Sequence, residues 1–357
     1  MCSSGVFCAG SVHNLALSHI VKASAMLPQT NPFLGDGPAV DPSQTHTLQW
    51  QTLNPLTYQL GESPFWHPLE QLLYWVDIAA KTILRANVYM GTVETWEMPS
   101  EPGCLAPAAL GGLVIALRNG IFRAREWRGG LDPVTTLPYD TGSVRANDGK
   151  CDPRGRFWVG TLDETKTAHA AALYSVDARS GRVPQVQRHV GDALTGNGLA
   201  WSPDERTAYW TDTASHAIRA WDCDLQTNTL TAPRTFQQFA PKPAGWTWSP
   251  ASASNAVPYG GRPDGAAVDV QGHYWVALYE GQRLCRFAPD GRLVAQYPTP
   301  AVCPTMPCFG GEDLKTLYLT SARRGRSADE LAAFPDSGCV FSTRVDVPGL
   351  AVNMYQD

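Results

Sequence analysis

The chain has 357 residues, with 28 Lys and Arg against 33 Asp and Glu, a net charge of −5. With no basic block, that balance excludes an electrostatic nucleic-acid binder, and a hydrophobic share of 43% excludes wholesale disorder. Gly and Pro supply about 17% of the residues, where roughly 12% is usual, and with 12 Trp and 12 Tyr this points to many short strands joined by turns.

The opening stretch MCSSGVFCAGSVHNLALSHIVKASAM has no basic region ahead of a clean apolar run. It reads as an extension, or as sequence upstream of a start at Met26, rather than a secretory signal. Residues 27–46, rich in Pro, Gly, Asp and Thr, read as linker. Residues 1–46 are therefore expected to be a poorly ordered extension, and 47–357 a single domain. The longest uncharged apolar stretch, Leu105 to Leu117, is too short for a membrane span, which needs about 20 residues. The nine cysteines form no CxxC pair. They read as buried reduced thiols of a cytoplasmic protein rather than a zinc ribbon.

From residue 57 onward a repeat organises the chain. LLYWVD, GRFWVGT, TAYWTDT, GHYWVAL and KTLYLTS carry the pairs Tyr74-Trp75, Phe157-Trp158, Tyr209-Trp210, Tyr274-Trp275 and Leu317-Tyr318. A further unit, GGLVIALRNGIFRAR, keeps the strand-turn-strand shape around Asn119-Gly120, a strong hairpin signal. Each unit continues into a second apolar strand (KTILRANV, AALYSVDA, HAIRAWDCD, QRLCRFAP, GCVFSTRVD), a turn and an outer strand. Six units, most of them spaced by about 42–50 residues with a longer interval between the fourth and the fifth, predict an all-β, six-bladed β-propeller with four-stranded blades. Thr47 to Gln51 and Thr57 to Leu60 are expected to complete the blade built by residues 308–347, closing the ring from both chain ends. An insertion at about 240–261 carries Trp246 and Trp248, either as a lid over a site or as a packed surface loop. The CFGG at Cys308 to Gly311 reads as tight packing near the axis.

In a propeller the innermost strands line a central channel, so equivalent positions converge. Glu62 and Asn197 lie 12 residues before their aromatic pair; Asn147 and Asp264 lie 10 before theirs. Each sits in what reads as a Gly-flanked turn: GES, NDG, GNG, PDG. One such residue is an ordinary turn former. Four in phase, one of them a Glu, make a hard-oxygen site, and two buried carboxylates together call for a divalent cation. None of the eight histidines falls at this phase. Arg145 stands two before Asn147, so the two share a face of an extended segment; Arg145 suits substrate hydroxyls or a carboxylate. Asp148 either orients a water or caps the turn. GxSxG, HExxH, P-loop and GxGxxG motifs are absent.

At these residues the chain resembles the senescence marker protein / gluconolactonase / regucalcin family, most of all its bacterial sugar-lactone hydrolases. The matching stretches are GESPFWHP, RANDGKCDPRGRFWVGTLD, TGNGLAWSPDERTAYWTDT, RPDGAAVDVQGHYWVALY and PCFGGEDLKTLYLTSARRG. The resemblance implies a six-bladed propeller holding one divalent cation (calcium, zinc, manganese or iron) on Glu62, Asn197 and Asp264, with Arg145 and Asn147 facing substrate. A further substrate-contacting Glu of animal members has no clean counterpart, since the stretch reads GTLDETK and offers Asp163 and Glu164 as two imperfect candidates. The activity implied is hydrolysis of an aldonolactone, a carboxylic ester, with Asp264 or Asp148 as base. The expected partner is a small sugar lactone, with no nucleic acid or membrane, and a monomer or weak homo-oligomer. Two other classes stay open: another metal-dependent esterase on the same scaffold, acting on aryl esters or phosphotriesters, and a non-catalytic calcium-binding propeller.

Overall fold

A computed structural model describes residues 44–181, 183–250 and 259–357. Most of the N-terminal extension and the centre of the 240–261 insertion lie outside the described residues. Six separate four-stranded antiparallel sheets follow one another along the chain. In each, the first strand is followed by its neighbour in sequence, and the six first strands contact one another in a ring. The protein is a six-bladed β-propeller. These innermost strands are Gly61–His67, Pro102–Pro107, Val144–Cys151, Gly196–Trp201, Arg262–Val268 and Pro304–Gly310. The last blade therefore starts at Pro304, four residues before the start expected from sequence.

Closure comes from both ends of the chain, by a shorter segment than expected. Only Gln51–Thr52 forms a strand, pairing antiparallel with Phe341–Arg344 as the outermost strand of the last blade. Of Thr57 to Leu60, Leu60 alone adds an isolated bridge, to Ala322. Gln44, Thr45 and His46, expected in the extension, instead bond the outer edge of blade 5 at Leu293 and Gln296.

The aromatic repeat fills the spaces between blades. One apolar cluster joins blades 3 and 4 through Trp158, Leu173, Trp201 and Trp210; another joins blades 6 and 1 through Trp66, Trp75, Tyr318 and Val340. Blades 3 and 5 add a polar device. Asp152 and Asp269, in the first turns of those blades, accept the indole N–H of Trp158 (2.8 Å) and Trp275 (3.0 Å). The corresponding turns of blades 1 and 4, HPLEQ and SPDER, place no such acceptor, and the buried indole nitrogens of Trp75 and Trp210 have no partner.

The C-terminal tail crosses the far end of the channel. Leu350 donates to Val268 (3.0 Å), the Asn353 amide to Cys151 (3.1 Å), Tyr355 to Pro107 (2.8 Å) and Gln356 to Gly155 (3.0 Å). These bonds, three from the backbone and one from the Asn353 side chain, fix the tail across blades 5, 3 and 2. The seven cysteines among the described residues are free thiols. No helix among them is long and apolar enough to cross a membrane.

Candidate active site

All six innermost strands carry a β-bulge in the same place. The register slips by one residue between Glu62 and Phe65, Pro102 and Cys104, Ala146 and Gly149, Asn197 and Ala200, Pro263 and Ala266, and Pro304 and Pro307. The GES, NDG, GNG and PDG segments are thus bulged strand rather than the turns expected from their Gly and Asn content. The physical reason is that an extra residue in a paired strand needs the same permissive backbone as a turn, and a bulge re-aims a side chain out of the sheet. Gly198 shows the requirement: its φ is +62°, and a Cβ there would stand 2.5 Å from the Tyr274 hydroxyl.

The bulges bring Glu62, Asn147, Asn197 and Asp264 to one cavity of about 250 Å³ at the end of the channel away from the tail. Leu60, Arg145, Thr195 and Arg262 line it as well, each two residues earlier in the chain, Arg145 and Arg262 on the strand itself and Leu60 and Thr195 in isolated bridges just before it, as the period of two in an extended chain requires. Arg262 escaped the sequence reading although RPD repeats the offset of RAN. Lys166 and Thr213 also line the cavity, and no periodic signal marked them.

Blades 2 and 6 contribute no ligand-like side chain. At Gly103 a Cβ would lie 2.4 Å from the carbonyl carbon of Ala146, so the close approach of two inner strands leaves no space for one. Thr305 spends its hydroxyl on the Gly61 carbonyl (2.6 Å).

One chain of hydrogen bonds orders the site across three blades. Arg145 Nη1 donates to Asn147 Oδ1 (2.8 Å), Asn147 Nδ2 to Asn197 Oδ1 (2.7 Å), Asn197 Nδ2 to Thr213 Oγ1 (2.8 Å), and Thr213 Oγ1 to the Pro263 carbonyl (2.8 Å). Glu164 stands 3.9 Å from Arg145 Nε and is gripped at both oxygens by Arg118. It therefore steadies Arg145. Asp163 is fully buried and accepts from Thr165 and Ala168, which fixes its loop.

The carboxylates are in a different condition. Glu62 and Asp264 are buried, and neither makes an ion pair among the described residues. Glu62 Oε2 is buried with no hydrogen-bond partner. Burial, then the charges of Asp264 and Asp148, hold the Glu62 carboxyl well above the usual range; burial and then Asp148 push Asp264 up to about 8. Arg145, Lys166 and Arg262 act on the pair only from a distance, without an ion-pair contact to either acid, and the donors available are carboxylate and amide oxygens, the set that a hard divalent cation takes. Glu62, Asn197 and Asp264 fit such an ion. Asp148 stands apart. It does not line the cavity, and its Oδ2 accepts from the backbone N–H of Leu199 (3.1 Å).

A pH dependence follows from Asp264. In the ion-free fold it keeps its proton to about pH 8, whereas an unfolded Asp releases it near pH 4. Between those values the folded state binds more protons, so stability contributed by this group falls as pH rises. With a chelator present, the thermal midpoint is expected to be higher at about pH 5 than at about pH 8, less so in Asp264→Asn. Equal slopes for the two proteins would overturn this account of Asp264.

A second cavity, of about 270 Å³, opens at the opposite end, against the tail. Apolar side chains such as Phe65, Trp66, Met306 and Phe309 dominate it, and Glu205 is its one carboxylate. Nothing there matches the paired acids of the first cavity.

A family model described as the SMP-30/Gluconolactonase/LRE-like region matches residues 60–323. The chain belongs to this family. Within it, the chain is 41% identical over 299 residues to a 6-deoxy-6-sulfogluconolactonase of Pseudomonas putida, covering 83% of this chain and 94% of that one. It is 31% identical over 317 residues to human regucalcin, covering 87% and 99%. Among solved structures, a calcium-binding regucalcin from Agrobacterium tumefaciens aligns over 88% of this chain and 99% of its own, with a TM-score of 0.77 and 25% identity. This SMP-30/Gluconolactonase/LRE-like chain keeps Glu62, Asn147, Asn197 and Asp264 in a single cavity. The Trp246 and Trp248 rings pack on Tyr259 and Phe334 respectively.

Proposed function

We propose that this protein hydrolyses a sugar lactone to the open aldonic acid, with a divalent cation held by Glu62, Asn197 and Asp264. The observation that carries the reading is the unpartnered, buried Glu62 carboxylate beside Asp264 in a cavity that also presents Arg145. The relative named for hydrolysis of a sulfonated gluconolactone supports it. When bound, the cation supplies Lewis-acid polarisation of the ester carbonyl and lowers the pKa of a nearby water.

Arg145, steadied by Asn147 and Glu164, donates to sugar hydroxyls and sets the ring's orientation. Asp264 takes a proton from the attacking water as that oxygen bonds to the lactone carbonyl carbon. The ring C–O bond then breaks, and the departing oxygen leaves as a hydroxyl by taking up the proton that Asp264 removed from the water. Asp264 is preferred to Asp148 as base because it faces the cavity, while Asp148 faces the Leu199 amide.

The test is a pH-stat screen of aldonolactones, aryl esters and phosphotriesters with metal-stripped and reconstituted protein. Hydrolysis of aldonolactones that stops on chelation and returns with a divalent ion supports the reading. Faster turnover of aryl esters or phosphotriesters replaces it with the other esterase. Cation binding without any turnover replaces it with the binding propeller.

A further inference from the structure

The cavity is lined by three cations, Arg145, Lys166 and Arg262, and two of them lack a full counter-charge. Lys166 makes no ion pair among the described residues; its ammonium bonds only the Thr195 hydroxyl (3.0 Å). Asp264 faces the same space but is assigned with Glu62 to the divalent cation, and the other acids near Lys166 are already engaged. Asp163 holds its own loop through Thr165 and Ala168, and Asp212 Oδ1 accepts from the backbone of Leu194, Thr195 and Ala214. Arg262 reaches Glu280 at 3.4 Å, but Lys242 (2.9 Å) and Arg326 (3.0 Å) share that carboxylate. Arg326 also pairs with Glu330 (2.6 Å). Three cations thus meet two carboxylates.

The position of Lys166 is built rather than incidental. Its φ is +58°, a left-handed conformation that a non-Gly residue adopts at a cost. The Asp163 carboxylate clamps the loop on both sides of it through Thr165 and Ala168. Loss of surrounding water, then the Arg145 and Arg262 charges, lower the Lys166 pKa, as expected where like charges face a common space short of an anion.

We infer that Lys166 and Arg262 form a subsite for a second, permanent anionic group on the substrate: a sulfonate, phosphate or carboxylate on the carbon chain remote from the lactone carbonyl. This rests on the lactonase reading of the same cavity and specifies the substrate class. Glu62 and Asp264 serve the cation and the ester; the rim cations serve the substituent. Arg262 presents a planar fork to such oxyanions, and Lys166 a point charge.

The experiment compares kcat/KM for glucono-lactone with its counterparts bearing a terminal sulfonate, phosphate or carboxylate. Wild type should favour at least one charged lactone by about tenfold or more, and the preference should shrink with added salt. Lys166→Asn removes the charge while suiting the left-handed backbone; Arg262→Gln is its companion. In each, the charged-to-neutral ratio should fall about tenfold or more. A wild type that favours the neutral lactone, or variants in which both substrates fall equally, overturns the inference. If no lactone is hydrolysed, the hydrolase reading fails, and calorimetry decides the subsite. Gluconate bearing a terminal sulfonate should then bind about tenfold tighter than gluconate, and lose that advantage in Lys166→Asn. Equal affinities overturn it.

Discussion

Replacing Asp264 with alanine is expected to cost about three orders of magnitude or more in kcat/KM for an aldonolactone while leaving a folded propeller. The change removes a base, typically about 10²–10⁴-fold, together with one of two carboxylates assigned to the cation. It should not unfold the protein. Asp264 makes no ion pair among the described residues, and its charge opposes that of Glu62 and Asp148. In chelator the variant should therefore melt at or above the wild-type temperature, while its gain on adding a divalent ion should be smaller. Asp264→Asn separates the roles, since an amide still offers an oxygen to the ion but accepts no proton at neutral pH. Full activity with full metal content in either variant would sink the assignment of Asp264.

The largest stability effect is expected far from the site, at Asp152. This carboxylate is fully buried and accepts from Arg154 N, Arg156 N, Arg156 Nη1 and Trp158 Nε1 at 2.8–3.0 Å. Arg156 is itself buried between blades 3 and 4, where it also reaches the Leu225 carbonyl (2.6 Å) and Asp177 (3.3 Å). Asp152→Ala leaves a buried guanidinium short of its main counter-ion and an indole N–H without an acceptor. Breaking a buried pair from one side typically costs about 3–5 kcal/mol. Equilibrium unfolding in denaturant checks it, with a lowered midpoint and an unchanged slope. Asp204→Ala, on the equivalent but exposed turn of blade 4, should cost less than about 1 kcal/mol. Equal losses at the two positions would show that the Asp152 network adds nothing beyond turn capping.

Much of the fold was legible because the propeller repeats itself. Trp75, Trp158, Trp210 and Trp275 recur at one place in blades 1, 3, 4 and 5, where the space between sheets demands a large ring. The same recurrence pointed to Glu62, Asn147, Asn197 and Asp264, since equivalent inner-strand positions must converge. Arg262 was written in the sequence at the offset that exposed Arg145, and needed only the period of two to be carried from blade 3 to blade 5. Lys166 was not legible. Its position depends on a loop clamp by Asp163 and a left-handed φ, neither of which leaves a periodic trace. The tail was missed for a similar reason. Its bonds to Val268, Pro107 and Gly155 are backbone contacts, to which side-chain pattern is blind. The bulges were misread as turns because both draw on Gly, Asn and Asp.

Ring closure has a consequence in time. Gln51–Thr52 leaves the ribosome early, and its partner Phe341–Arg344 follows about 290 residues later. At roughly 5–20 residues per second, the early strand waits on the order of 15–60 s. Throughout that interval the blade 1 side of the final seam, with Trp66 and Trp75, has no Tyr318 or Val340 to cover it. The thermodynamic cost of so long a loop is modest, because each doubling of length adds only about 0.6 kcal/mol. The burden is instead one of exposure, borne by the nascent chain and lifted only when the last blade has been made.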